Sequence, residues 1–444
     1  MCITHVQLTH AIAQGRSRDE RTAAVQQRQV TRFTPFMFAT GALLLPLIIS
    51  CGSDSATVET PPAPTLFTRF VVMGSSASAG FESGGIVSTS QTHSWPALVA
   101  QQAGAAFVIP TLAAPGCPAP IAGAFPAQSA ANSCAGRIEA TVTAVDNVAV
   151  PGERLSQAMT VTSGTTHTPL IGAQTQVQAM QARKPTLLSV ELGSDDVLAA
   201  ALSGDATLST TPAAFQASVT QLVAQVRSVP SLLGVVVVAV VDPIAFGAAL
   251  QPGAFYFLAR DAAGRFSGKP VNANCSPVTA VGQPNALAKN LIATTAVTDP
   301  TITELNCDPA SGMRMLLTSS EMLTLQTNLA AYNVALQQAA SANGWAFIDL
   351  APMLQALVNS RDANGRTNEM RKCQDLAAAT TASQLQAAVL NTCPITGPTG
   401  APNVYGNSLS FDGVHPSAAG AKLIANAVIP RINAFYNKNV PIVP

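Results

Sequence analysis

The chain has 444 residues, of which 48% are hydrophobic and only 10% are charged, and its 23 basic residues balance 23 acidic ones. This apolar share excludes wholesale disorder and is sufficient for a substantial core. Because no basic stripe is present to neutralise phosphates, nucleic acid is not an expected partner.

The first 50 residues have the composition of a leader that ends in a signal peptide. Arg28 and Arg32 precede a stretch, residues 33–53, that contains no charged side chain. A basic segment followed by an apolar one is the arrangement of a secretory signal, so residues 1–50 are predicted to direct export. The alternative is an uncleaved transmembrane anchor, because the uncharged stretch is about long enough to span a bilayer.

The uncharged stretch closes on the sequence IISC at residues 48–51, which resembles the lipobox of bacterial lipoproteins. The resemblance implies an exported protein that is anchored to the membrane by a diacylglycerol on Cys51. Gly52, rather than an aspartate, follows this cysteine and implies the outer membrane. Residues 51–64 are polar and rich in proline, which predicts a flexible tether. One globular domain is predicted from residue 65 to about 438.

Six further cysteines lie in the predicted domain, and their pattern favours disulfides of an oxidising compartment. Pairing neighbours in sequence would close separations of 17, 32 and 20 residues, although the sequence alone does not decide among the possible pairings. The alternative is a metal site, which the absence of a Cys-x-x-Cys motif and of nearby histidines disfavours. The six are Cys117, Cys134, Cys275, Cys307, Cys373 and Cys393.

Short β-rich runs alternate with helical patterns along the predicted domain, which indicates an α/β fold with a mostly parallel sheet. The run at residues 234–241 (GVVVVAVV) is rich in β-branched residues, as is typical of a strand buried on both faces. The predicted strands are residues 67–73, 107–112, 147–150, 186–192, 234–241 and 345–350.

Helix signals fill the spaces between these runs. Pro96 is placed for the first turn of a helix over residues 94–103. Thr318 and Glu321 form a capping-box pattern that predicts a helix running to about residue 341, and a closing helix is predicted over residues 418–435. Two long irregular insertions, at about 246–317 and 360–406, each hold a pair of cysteines and are predicted to be tied by disulfides.

A serine follows the first predicted strand in a turn of small residues, Gly74-Ser75-Ser76. Reactive groups of α/β proteins gather where parallel strands end, because the loops begin there. A serine in a tight turn before a helix is exposed and can approach a carbonyl with its own amide directed inward. The alternative is a purely structural turn, since turns of serine and glycine are common.

An aspartate and a histidine stand together just before the closing helix, in the sequence FDGVHPS at residues 411–417. A histidine takes a proton from a serine only when its tautomer is fixed, and a carboxylate on the other ring nitrogen fixes it. Asp412 lies three residues before His415 and can supply that carboxylate. His93 and His167 have no carboxylate at comparable spacing, so His415 is the candidate base.

Together these stretches resemble the SGNH/GDSL hydrolase family over residues 67–438. The resemblance implies a three-layer α/β/α fold of flavodoxin-like type and an ester hydrolase that acts through an acyl-serine. It implies Ser76 as nucleophile with His415 and Asp412 as its base pair. It also implies an oxyanion hole made by Ser76, by Gly152 after the strand at 147–150, and by Asp195 in the sequence GSDD at residues 193–196.

Two residues depart from the family pattern. Ser75 replaces the aspartate that precedes the nucleophile, and a serine can still hydrogen-bond there. Asp195 replaces an asparagine that donates an N–H to the oxyanion, and an ionised carboxylate would repel that charge instead. Asp195 could donate if burial beside Asp196 kept it protonated. Alternatively, Ser194 or a backbone amide completes the hole.

The resemblance predicts a small-molecule or lipid ester as substrate. A related possibility is an acyltransferase, in which another alcohol replaces water, with the insertion at 246–317 as a lid. A different class of function is a surface lipoprotein that binds rather than cleaves, with its reactivity weakened by Asp195. No metal or nucleotide cofactor is expected, because no phosphate-binding glycine loop with a lysine is present.

Overall fold

The computed structural model describes residues 63–121, 134–139, 144–260, 268–361 and 403–444, together with single positions or pairs between 369 and 393. The predicted leader, Cys51 and most of the tether therefore lie outside the described residues, as does much of the second insertion. Among the described residues, no helix combines the length and the apolar character that crossing a membrane requires.

Seven strands and twelve α-helices organise the described part of the chain. The strands are β1 (Phe70–Gly74), β2 (Leu187–Glu191), β3 (Gly234–Val238), β4 (Leu250–Pro252), β5 (Leu291–Ala293), β6 (Leu316–Leu317) and β7 (Ala346–Ile348). The helices are α1 (Ser76–Ala79), α2 (Ser88–Thr92), α3 (Trp95–Gln102), α4 (His167–Ile171), α5 (Gln176–Arg183), α6 (Asp195–Ser203), α7 (Pro212–Arg227), α8 (Pro243–Phe246), α9 (Gly253–Ala259), α10 (Ser319–Ala342), α11 (Ala351–Asn359) and α12 (Ala418–Tyr436).

The central sheet contains four parallel strands in the order β1-β2-β3-β7. Residues 147–150 extend it beyond β1, because the Val148 and Val150 amides donate to the Val72 and Gly74 carbonyls at 2.9 and 3.1 Å. After β1, the chain therefore adds residues 147–150 on one side of β1 and then β2 on its other side. In open α/β sheets, ligands bind at the carboxyl ends of the strands where the order reverses in this way.

Each face of the sheet is covered by helices, which confirms the predicted α/β class. Successive side chains of a strand point to opposite faces, and Val71 and Met73 accordingly join one core with α5, α7 and α10. Phe70 and Val72 join the other core with α3, α11 and α12. The continuous apolar strands of the sequence follow from this double burial.

The predicted helix boundaries agree closely with the structure. Thr318 accepts the Glu321 amide at 3.3 Å while Glu321 accepts the Thr318 amide at 2.9 Å, so the capping box forms as predicted. Helix α10 then ends at Ala342, and Pro96 lies in the first turn of α3.

One predicted strand is wrong. Residues 107–112 form only an isolated bridge between Leu112 and Arg137. Pro110 has no N–H to give to a ladder, and the Val108 amide donates instead to the Asp146 carboxylate at 2.8 Å. The Asp146 and Asn147 amides also donate to the Val108 carbonyl, so the segment is held by scattered hydrogen bonds rather than by a continuous ladder.

The first insertion has a small core of its own beside the main sheet. Strands β4, β5 and β6 form an antiparallel sheet, and α9 packs with them around buried cysteines. The six cysteines of the domain form three disulfides between neighbours in sequence, with separations of 17, 32 and 20 residues. These disulfides are Cys117–Cys134, Cys275–Cys307 and Cys373–Cys393.

Candidate active site

The structure brings Ser76, His415 and Asp412 into one chain of hydrogen bonds. The Ser76 Oγ lies 2.9 Å from His415 Nε2, and His415 Nδ1 lies 2.8 Å from Asp412 Oδ2. Ser76 and His415 are 339 positions apart in the sequence. They meet because Ser76 begins α1 directly after β1, while the loop before α12 carries the other two side chains to the same edge of the sheet.

The loop that carries His415 is fixed from several directions. The backbones of Leu409 and Pro416 pair across it in an isolated bridge. At its tip Gly413 has φ +70°, and a Cβ there would lie 3.0 Å from the Ala249 amide nitrogen. The amides of Ala248 and Ala249 both donate to the Gly413 carbonyl, so the start of the first insertion anchors the loop.

Asp412 is surrounded by donors. One carboxylate oxygen accepts the amides of Val414 and His415 at 2.8 and 2.9 Å, and the other accepts the Gly84 amide at 2.6 Å. Burial alone would raise the pKa of Asp412, but His415 and these hydrogen bonds hold it well below its usual range. The carboxylate is therefore ionised and orients the imidazole.

His415 is a stronger base than an isolated imidazole. Burial alone would lower the pKa of His415, but the charge and hydrogen bond of Asp412, with smaller contributions from Asp195 and Glu191, raise it above its ordinary value. The Phe81 ring lies 4.8 Å from the imidazole, centroid to centroid, and limits its movement.

Gly152 and Asp195 lie beside each other, and Asp195 is close enough to His415 for the two charges to interact. Gly152 has φ +82°, a conformation that favours glycine, and its amide faces the Asp195 carboxyl group and lowers the pKa of that group. The Oδ2 atom of Asp195 is buried and has no hydrogen-bond partner in the described structure. The pKa of Asp195 is raised to about 7, chiefly by burial, with His415 lowering it and Glu191 and Asp196 raising it.

Ser194, the alternative donor to the predicted oxyanion hole, donates to Glu191 instead. Its hydroxyl donates to Glu191 Oε1 at 3.2 Å. Both carboxylate oxygens of Asp196 are occupied, because they accept the Leu155 amide at 2.8 Å and the Thr210 hydroxyl at 2.6 Å.

Glu191, at the end of β2, is a site residue that the sequence analysis missed. It is buried, and it accepts the hydroxyls of Ser75 and Ser78 at 3.2 and 2.9 Å in addition to that of Ser194. The only signal in the sequence was an acidic residue inside the apolar run TLLSVEL, which a buried strand does not tolerate without partners.

A second histidine–carboxylate pair was also missed. His167 is buried, with Nδ1 2.5 Å from Glu153 Oε1 and Nε2 2.9 Å from the Gln174 carbonyl. Gln176 donates to Glu153 at 2.9 Å and accepts the Gly74 amide at 3.0 Å. This network satisfies buried polar groups behind β1, and both ring nitrogens of His167 are engaged within it.

A largely apolar pocket of about 120 Å³ opens beside Ser76 and His415. Residues of α6, α8, α11 and α12 line it. Its apolar wall is formed by Leu198, Phe246, Leu350, Met353, Leu354, Leu357, Met370, Leu409 and Ile424. Within the described residues, no three side chains of the metal-binding types come together as a possible metal site.

The three-layer fold, the Ser76–His415–Asp412 chain at its switch point and the adjoining apolar pocket define an α/β protein with a site of the serine-hydrolase class. Residues 70–428 match the model of the GDSL-like lipase/acylhydrolase family, and the chain belongs to this family. The resemblance found in the sequence is thereby confirmed, and the membership supports an ester hydrolase in general.

Solved structures similar to this chain include three with lipase names. A GDSL-like lipase from Parabacteroides merdae, described as putative in its title, is 10% identical, with 84% of this chain and 100% of that chain covered and a TM-score of 0.32. An extracellular lipase from Streptomyces rimosus is 17% identical, with 83% and 99% covered and a TM-score of 0.30. A phospholipase A1 from Streptomyces albidoflavus is 14% identical, with 83% and 98% covered and a TM-score of 0.32. No curated protein sequence matches the chain.

Proposed function

We propose that the chain hydrolyses carboxylic esters through an acyl intermediate on Ser76. The single observation that supports this most strongly is the continuous hydrogen-bond chain from the Ser76 hydroxyl through His415 to Asp412. In the proposed reaction, His415 Nε2 takes the hydroxyl proton as Ser76 Oγ attacks the ester carbonyl carbon. The tetrahedral intermediate then expels the alcohol, which leaves with the proton from His415.

Water completes the proposed cycle. His415 takes a proton from water while the resulting hydroxide attacks the acyl carbonyl, and the acid leaves as the proton returns to Ser76 Oγ. The oxyanion formed in each half-reaction would be stabilised by the amides of Ser76 and Gly152 and by Asp195. The Ser76 amide opens helix α1, so it has no acceptor within the helix.

The apolar pocket suits an acyl chain of several methylenes, and we propose that it holds this part of the substrate. Each buried methylene contributes about 0.8 kcal/mol, which corresponds to roughly fourfold in kcat/KM. We therefore expect p-nitrophenyl octanoate to be cleaved with a higher kcat/KM than the acetate.

Leu357→Trp tests this assignment because it places a bulky ring in the pocket wall. We expect kcat/KM for the octanoate to fall by roughly tenfold or more while that for the acetate changes little. Leu323→Trp is the matched control, since Leu323 is 67% exposed on α10. Equal losses on both esters in Leu357→Trp would contradict the assignment of the pocket to the acyl chain.

We also propose that the protein is exported and lipidated on Cys51, with residues 51–64 as the tether of the domain at 65–438. The three disulfides support an oxidising compartment independently of the signal pattern. In a bacterial host given labelled palmitate, the full chain should incorporate the label and Cys51→Ala should not. Cys2→Ala is the matched control and should remain labelled, and equal labelling of all three would refute lipidation at Cys51.

A further inference from the structure

Glu191 links the turn of the proposed nucleophile to the turn of the oxyanion hole. Its carboxyl group accepts the hydroxyls of Ser75 and Ser78, which flank Ser76 on either side. It also accepts the hydroxyl of Ser194, which directly precedes Asp195. Residues of β1 and β2 are in register, with Gly74 opposite Glu191, so this buried carboxyl group is placed between the two strand ends.

The two buried carboxyl groups of this edge have unequal surroundings. Glu191 accepts hydrogen bonds from three hydroxyls and, at 3.4 Å, from the Ser75 amide. Burial raises the pKa of Glu191, and these hydrogen bonds lower it. Asp195 has the Gly152 amide beside it, and within the described residues its Oδ2 has no hydrogen-bond partner. When two buried carboxyl groups share a site, the one that accepts more hydrogen bonds ionises more readily, and its charge disfavours ionisation of the other.

We propose that Glu191 is a positioning residue that carries the negative charge of this pair and keeps the proton on Asp195. The Asp195 O–H then donates from Oδ2 to the substrate oxyanion, the part played by an asparagine N–H elsewhere in the family. Without a bound substrate, Oδ2 is buried and has no hydrogen bond among the described residues, and the oxyanion would provide its acceptor. This inference rests on the proposed hydrolysis at Ser76 and extends it to the residue that departs from the family pattern.

The groups that face Asp195 determine the pH dependence. Glu191 from β2 and Asp196 from α6 favour its protonated form, whereas His415, when protonated, and the Gly152 amide favour the ionised form. Because burial raises the pKa of Asp195 to about 7, the donor is present below that pH and is lost above it. His415 must be neutral to act as base and its pKa is raised, so activity declines on the acidic side as well.

The first experiment measures kcat/KM for p-nitrophenyl acetate against pH in the full chain. Wild type should lose about tenfold for each pH unit well above 7. Asp195→Asn should lack this alkaline decline and exceed wild type by about 100-fold at pH 9, two units above the pKa. Glu191→Gln should move the decline to lower pH, because Asp195 then ionises more easily.

Two further variants separate this role from a merely structural one. In Asp195→Asn, the additional change Glu191→Gln should leave the alkaline decline absent. Ser194→Ala removes one hydroxyl from Glu191 at a partly exposed position, and it should also move the decline to lower pH. A uniform loss of activity in Glu191→Gln with an unshifted profile would overturn the inference, as would an Asp195→Asn variant that is slower at every pH.

An infrared titration makes the test independent of turnover. The full chain should show the carbonyl band of a buried carboxylic acid that disappears as the pH rises through about 7. Asp195→Asn should lack the band and Glu191→Gln should lose it at lower pH. A band that is missing only in Glu191→Gln would place the proton on Glu191 and overturn the inference. Absence of Ser76-dependent ester cleavage, with the band as expected, would instead refute the proposed hydrolysis alone.

Discussion

Replacing Ser76 with alanine is expected to lower kcat for a short-chain ester by about 10⁴- to 10⁶-fold. The reason is that the proposed acyl intermediate needs the Ser76 oxygen, and no other hydroxyl lies within hydrogen-bond distance of His415 Nε2 among the described contacts. The remaining rate would come from substrate binding and the oxyanion donors. Steady-state kinetics on the purified full chain measure the effect.

The control for this variant is Ser341→Ala, which alters an exposed serine near the end of α10 and should keep full activity. The double variant Ser76→Ala, His415→Ala should be no slower than Ser76→Ala alone, because residues that act as a unit are not additive. A loss of less than tenfold in Ser76→Ala would contradict the assignment of the nucleophile.

Asp412→Asn is expected to lower kcat by about 10⁴-fold while leaving the fold intact. An asparagine can present its amide N–H to His415 Nδ1, and the imidazole then holds the wrong tautomer for taking a proton from Ser76. Loss of the negative charge should also lower the pKa of His415, so the acidic limb of the pH profile should move to lower pH.

The matched control for Asp412→Asn is Asp349→Asn, at an exposed carboxylate near the end of β7 whose side chain accepts the Ala351 amide. Its kinetics should equal those of wild type. An Asp412→Asn variant with normal kcat and an unmoved acidic limb would show that His415 is oriented by other groups.

Strands and helix ends could be predicted where a few neighbouring residues of the sequence determine them. The β-branched run that became β3 and the capping box of α10 each lie within a few residues of sequence. The segment 107–112 was mispredicted because its apolar residues resemble a strand, whereas Pro110 and the distant Asp146 decide its backbone.

The central part of the site was predictable for a different reason. Ser76 follows a parallel strand, and the Asp412–His415 pair supplies its own orientation over three residues, so few arrangements could bring them to one edge. The sequence could not reveal that Glu191 connects Ser75 to Ser194, because this contact depends on the register of β1 against β2. The pairing of His167 with Glu153 is likewise a product of the tertiary fold.

The core of the first insertion was beyond prediction as well. Its short antiparallel strands have little periodicity, and they are held around the Cys275–Cys307 disulfide by contacts between distant residues. The same holds for Gly413, whose carbonyl is fixed by the amides of Ala248 and Ala249 at the start of that insertion.

The most direct test of the proposed hydrolase is covalent capture of its nucleophile. The full chain is treated with a fluorophosphonate between pH 5 and 9, and the modified residue is located by mass spectrometry of its peptides. The result expected is one phosphonyl group per chain, attached to the Ser76 oxygen and absent in both Ser76→Ala and His415→Ala. An unmodified Ser76 across this pH range, in a chain that remains folded, would contradict the hydrolase and favour a binding lipoprotein.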